Sequence, residues 1–274
     1  MALFEKRDKK RAAIEKEYFA LLKKEEQFNQ KALKAEAPHW KAELEKKVPE
    51  KVYHSLESAF TKAFSVVFTK GVGVIEKTYN RDNLEATYSI QDYAVQVKGG
   101  RRELRQVKRN ANRSGMANAA LTTVEGLGLG VLGIGLPDIV LFVGMLLKGI
   151  YQTAIGYGFT YDSTEERLFI LRMMEAALAR SSDFEEKNAQ VDHMIEGITL
   201  IGENDLEEQL QKTSGAFAVD MLLLKFVQGF PLVGVLGGVA NPIYYKKIMR
   251  YVQMKYHKRY LMAAAQRNGW SLGC

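Results

Sequence analysis

Gly126–Leu147 reads GLGLGVLGIGLPDIVLFVGMLL, a stretch whose one charge is Asp138. About a hundred residues later Phe226–Tyr245, FVQGFPLVGVLGGVANPIYY, repeats the composition with no charge at all. A continuous crossing of a bilayer needs about twenty apolar residues in unbroken helix. Pro137 divides the first stretch, and Pro231 and Pro242 divide the second, so neither reads as a stand-alone span. Gly126, Gly130 and Gly133 fall on one helical face, and Gly126 to Gly130 is a GxxxG step, as is Gly234 to Gly238. Glycine inside a helix costs roughly 1 kcal/mol relative to alanine. Small residues at this spacing offset that by letting two helices approach backbone to backbone. The expectation is two glycine-rich apolar helical segments packed in a core. Membrane-facing hairpins are the other reading.

The letters of Gly128-Leu-Gly130-Val-Leu-Gly133 also match a dinucleotide fingerprint. That motif needs a strand before it, a helix at once after it and an acidic residue about twenty positions on. Here NAALTTVE precedes it with helical character, Pro137 interrupts the segment after it, and Lys148 stands near the place of the acid. The run is not a nucleotide loop, and no cofactor is expected.

Outward from these stretches the pattern is helical. Residues 3–36 read as a highly charged helix, with Ile14, Tyr18, Leu21, Phe28 and Ala32 in three- and four-residue steps and Glu25 breaking the seam. Pro38 ends it. Residues 1–37 are therefore expected to be a charged N-terminal helical arm on a domain of residues 38–274. The arm either lays one narrow stripe on that domain or offers a coiled-coil surface to a partner. A second helix, 41–70, puts Val52, Leu56, Phe60, Ala63 and Val67 on one face, and GVGVIEK breaks or kinks it. A third covers 80–97 and ends at Gly99-Gly100. Asp138 is the expected N-cap of a helix that stops at Gly156 and Gly158. Ser163-Thr-Glu-Glu166 is a capping box, with Ser163 accepting from the Glu166 N–H and the carboxylate reaching back. Asn204-Asp-Leu-Glu207 has similar spacing. The last helix, 242–266, sets Tyr245, Ile248, Val252, Tyr256 and Tyr260 on one side. Apart from GLGLG, nothing alternates with period two over a convincing length. The predicted fold is all-α, a single multi-helix bundle.

With 274 residues, 47% of them hydrophobic, the chain can bury a sizeable core. Its mean hydropathy of -0.20 is that of a soluble or peripheral protein. The first residues, MALFEKRDKKRAAIEKEYFALLKKEE, hold no apolar leader core. The one cysteine, Cys274, excludes an internal disulfide framework and points to a reducing, cytoplasmic compartment. Net charge is +7 but unevenly spread. From Phe226 onward there are seven basic residues and no acid, residues 162–212 hold thirteen acidic against five basic, and Lys98–Arg113 holds seven basic against Glu103. Such blocks either complement each other inside the fold or polarise the surface toward a polyanion.

Catalytic signatures do not emerge. His39, His54, His193 and His257 share no ligand spacing, so no metal is expected. Asp192 and His193 are neighbours and point to different sides of a helix. There is no nucleophile elbow. Asp138 and Asp220, carboxylates in or beside apolar segments, are the candidate pocket acids, with Lys225 or Lys212 as partners for Asp220; Glu125, beside the first glycine run, is weaker. The stronger candidates are basic: Arg101, Arg102, Arg105, Lys108 and Arg109 before the first apolar run, and Lys246, Lys247, Arg250 and Lys258 after the second. Each basic residue near an anionic leaflet contributes on the order of 1 kcal/mol, and the interleaved tyrosines suit a headgroup interface. Nucleic acid would attract the same charges, but no nucleic-acid motif accompanies them and the adjoining apolar runs favour lipid. The competing expectation is that both basic helices pack beside the acidic region at 162–212.

The order SGMANAALTTVEG, the glycine run, Asp138 opening an apolar helix, IGYGFTYDSTEERLFILRMMEAAL and FPLVGVLGGVANPIYYKKIMRYVQMKYHKR resembles the EcsC family of bacterial proteins over roughly residues 80–265. The N-terminal arm lies outside that resemblance. The family is named for a protein encoded beside the subunits of an ABC transporter, and its biochemical activity is not established; the resemblance implies a bacterial cytoplasmic protein at the inner face of the cell membrane, with an anionic membrane surface and transporter subunits as the expected partners. It supplies no catalytic residue. Together these readings describe a non-enzymatic, peripheral, membrane-associated helical protein. The alternative is an enzyme or a small-molecule or lipid-binding module with a pocket between the glycine-rich helices.

Overall fold

A computed structural model describes residues 2–35, 50–117, 137–199, 201–227 and 242–272. All regular structure among them is helical. The glycines of both GxxxG steps (Gly126, Gly130, Gly133, Gly234 and Gly238), together with Glu125, His39 and Cys274, lie outside the described residues.

The N-terminal helix α1, Ala2–Leu33, buries Ala13, Ile14, Tyr18 and Leu21 at helical spacing. It packs on the C-terminal helix and on two others, so the arm lays its stripe on the bundle. Glu17 and Glu25 are buried in that same stripe. Basic partners on neighbouring helices explain their places in an apolar seam: Arg101 and Arg105 for Glu17, Lys255 and Lys258 for Glu25.

Helix α2, Glu50–Val66, buries Leu56, Ala59, Phe60, Ala63 and Phe64. The predicted kink is a π turn, Val67–Gly71, that re-phases the chain into the short α3, Val72–Glu76. Helix α4, Arg81–Lys98, opens on Asn80, whose side chain accepts from the Asn83 N–H, and closes on Gly99 in the left-handed region at φ 64°.

Helices α5, Arg101–Ala117, and α6, Pro137–Gly156, cross at small residues. A methyl on Gly149 would stand 2.9 Å from the Gly115 carbonyl oxygen, and one on Gly156 would stand 2.7 Å from Ala111 Cβ. The two backbones therefore touch, which only side chains of this size permit. Gly156 serves this approach, whereas Gly158 turns the chain at φ 82° beneath the Tyr88 ring. Helix α6 begins at Pro137, which suits the first helical position. Asp138 thus stands in the first turn and is not the N-cap. The stretch Ile139–Gly156 is long and apolar enough to cross a membrane, but 83% of it is buried inside the bundle. It is a core helix.

Helix α7, Thr164–Leu178, is buried on nearly every side. Ser163 accepts from the Glu166 N–H at 3.2 Å, as predicted. The reciprocal half of the capping box does not form, because the Glu166 carboxylate takes the Tyr256 hydroxyl and the Arg259 guanidinium, both at 2.7 Å. Helix α8, Ser181–Ile195, starts one residue beyond Arg180, and the Ser181 hydroxyl donates to the Ala35 carbonyl just past α1. Helix α9, Asp205–Val227, begins immediately after Asn204, and it is Asp205 whose carboxylate accepts from the Gly202 N–H.

Helix α10, Pro242–Gln266, runs through the middle and touches α1, α5, α6, α7 and α8. Tyr245, Ile248, Val252, Tyr256 and Tyr260 are all buried, as their spacing predicts. So are Lys255, His257 and Lys258, because neighbours surround this helix on more than one face. Phe142 of α6, Phe217 of α9 and Tyr244 of α10 meet with ring centroids 6.0–6.2 Å apart. Helix α6, at the end of the first glycine-rich stretch, and helices α9 and α10, on either side of the second, thus converge on one aromatic cluster.

Candidate anion-binding face

The basic residues nominated by the sequence separate into two kinds. Lys258 does not face solvent. It and Lys255, the latter with no exposed surface, lie between the carboxylates of Glu25 on α1 and Asp192 on α8. Lys255 donates to both Asp192 oxygens at 2.8 and 2.9 Å and also to Glu25; Lys258 donates to Asp192 at 2.9 Å. Asn188 completes the Asp192 shell at 3.1 Å. Burial raises the Asp192 pKa, but Lys255 and then Lys258 outweigh it and hold the carboxyl below its usual value. Two cations and two carboxylates fully neutralise one another here, so this cluster fastens α10 to α1 and α8 and presents no surface charge.

Arg101 and Arg105 both donate to the buried Glu17 carboxylate of α1, at 2.7 and 2.8 Å. Lys108 is half-buried, and its pKa falls through burial and the nearby Lys24, against a raise from Glu17. Arg102 and Arg109 are exposed. The charge blocks therefore complement each other in part. The C-terminal helix pairs with the acidic 162–212 region through Asp192 and Glu166, while the 101–105 cations pair with α1 instead.

Apart from Arg102, Lys108 and Arg109, the nominated cations left outside these pairings gather at the start of α10. Lys246 and Arg250 are exposed and Lys247 is half-buried. They line a pocket of about 330 Å³ with Lys31 from the last turn of α1 and Arg180 from the α7–α8 junction. Phe28, Ala32, Ala177 and Ala179 form its apolar floor. No carboxylate is among the described residues that line it. Burial lowers the Lys247 ammonium pKa; Asp220 opposes that shift and Arg180 adds to it. The hydroxyl of Ser181 on Ala35 holds the end of α1 against the α7–α8 junction, which is why residues so far apart in the chain share one wall. Nothing in the sequence marks Lys31 or Arg180 for this place.

On its other side Arg180 borders an open cleft of about 660 Å³ that also holds Asp220, Glu175 and Lys187. Asp220 is buried and paired with Arg180 at 2.9 Å, while Lys212 pairs with Glu208; the Lys225 side chain lies outside the described residues. Glu175 accepts from Gln209 at 2.5 Å and Lys187 at 3.0 Å. Among the described residues no group of three or more His, Cys, Asp or Glu is placed to hold a metal.

The described residues thus form a helical bundle with a buried charge-neutral clamp and, at the start of α10, a cationic pocket with no carboxylate among its described lining. The chain belongs to the EcsC protein family, whose model matches residues 12–261. The match takes in most of α1 and the 80–265 region as far as residue 261. No curated protein and no solved structure matches the chain.

Proposed function

We infer that this protein associates peripherally with anionic membrane through the face where α10 begins. One observation carries this reading: five cations line one apolar-floored pocket with no carboxylate among its described residues. At about 1 kcal/mol per basic residue near an anionic surface, Lys31, Lys246 and Arg250 with the recessed Arg180 and Lys247 supply enough attraction for reversible binding. Arg102 and Arg109 add a second exposed pair. In the sequence the apolar, glycine-rich stretch 228–241 immediately precedes α10, and apolar residues beside basic ones favour a lipid surface over a soluble polyanion. An accessory role beside the membrane subunits of a transporter belongs to the same proposal, since it needs the same location.

Vesicle flotation at low salt tests it. The full chain is expected to float with phosphatidylcholine vesicles that contain phosphatidylglycerol, to stay unbound with pure phosphatidylcholine, and to be released as salt rises. Reversing Lys246→Glu with Arg250→Glu should abolish flotation, and Arg102→Glu with Arg109→Glu should weaken it less. Wild-type protein that stays unbound with both vesicle types would overturn the reading.

A further inference from the structure

The pocket at the start of α10 is more selective than a basic patch. Lys247 is half-buried, and it forms no ion pair among the described residues, although Asp220 lies near enough to act on its charge. Arg180 commits one terminal nitrogen to Asp220 and also lines the pocket. Lys31 from α1 and Arg250 from α10 complete its cationic lining. A folded chain does not ordinarily crowd cations over alanines and a phenylalanine without an anion to relieve their repulsion. The cavity, about 330 Å³, lies at the small end of ligand pockets, which run roughly 300–1,000 Å³. That space takes a headgroup-sized molecule.

We propose that this pocket is a site for a phosphomonoester dianion held between Lys31, Arg180, Lys247 and Arg250. The apolar floor receives the carbon substituent of the phosphate. A dianion neutralises this cluster in a way that a singly charged phosphodiester does not, and Arg180 offers a planar fork suited to two phosphate oxygens. The source is either a lipid with a terminal phosphate, in which case the site rests on the proposed membrane association, or a soluble phosphate ester.

Two measurements on the full chain separate these. The first is thermal unfolding with glycerol 3-phosphate against chloride at equal ionic strength, because a ligand that binds only the folded state raises the melting temperature. The second is flotation on phosphatidic acid against phosphatidylglycerol vesicles at matched surface charge. The expected results are a rise of a few degrees with glycerol 3-phosphate and several-fold stronger flotation on phosphatidic acid. Both should be lost in Lys247→Gln and in Lys31→Gln; the latter sits on the surface of α1 and leaves the fold intact. Equal flotation on the two lipids with no melting shift would overturn the site and leave the membrane reading standing. A melting shift without flotation on either lipid would keep the site, with a soluble ester as its ligand, and overturn the membrane reading. A shift that persists in both variants would place the binding elsewhere and overturn the site.

Discussion

His257 is buried to 2% exposure, with its ring stacked 5.7 Å from that of Tyr157 and its Nδ1 without a hydrogen-bond partner. Burial, then the charges of Lys108 and Lys24, push its pKa well below the usual value. The folded state therefore holds His257 neutral while the unfolded chain takes up a proton below about pH 6.5. Its contribution to stability is complete above that pH and declines as pH falls, by about 1.4 kcal/mol per unit. Urea unfolding between pH 5 and 7.5 should show this slope in the wild type and a flatter one in His257→Phe; equal slopes would exclude His257 as the cause. The sequence contains His257 but not its burial. An i,i+4 tyrosine pattern marks one face of α10, and only the packing of five helices around it reveals that the other faces are covered too. The same reason hides Lys255. A lysine in a basic run reads as solvated until its counterions, Glu25 and Asp192, arrive from α1 and α8.

At the scale of elements, helix identities and most of their ends were legible because they depend on near neighbours. Asn80, Gly99, Ser163 and the kink in GVGVIEK act within a turn or two of themselves. Tertiary partners overrode the local rule at one residue. Glu166 leaves its capping box for Tyr256 and Arg259, since a charge-assisted bond in a buried site exceeds a cap bond to an exposed end. The helix-packing role expected of glycine is filled, among the described residues, at Gly115, Gly149 and Gly156. Gly149→Ala should cost about 1–3 kcal/mol, because the new methyl meets a backbone carbonyl that cannot swing away. Gly73→Ala, in α3 with no atom within 4 Å of the added carbon, should instead stabilise by up to about 1 kcal/mol. Denaturant midpoints of the two variants provide the comparison, and shifts of the same sign in both would refute the crossing.

For the whole molecule, α1 is a structural wall of the bundle. It carries Glu17 for Arg101 and Arg105 and Glu25 for Lys255 and Lys258, and its last turn closes the cationic pocket. Deleting residues 2–35 is therefore expected to take Glu25 from Lys255 and Lys258 and to uncover the apolar surface that Ile14, Tyr18 and Leu21 cover. The truncated chain should lose cooperative unfolding by circular dichroism; a sharp transition near the wild-type temperature would return α1 to the status of a detachable arm. The family match from residue 12 agrees with its place in the bundle. By itself the sequence determined the all-α class, some of the helix ends, the family and the uneven charge, because periodicity, capping and composition are local properties. Only the tertiary structure decided which charges are spent inside the fold and which face outward. Ion pairs such as Lys255 with Glu25 join residues 230 positions apart, and no local pattern specifies contacts at that range.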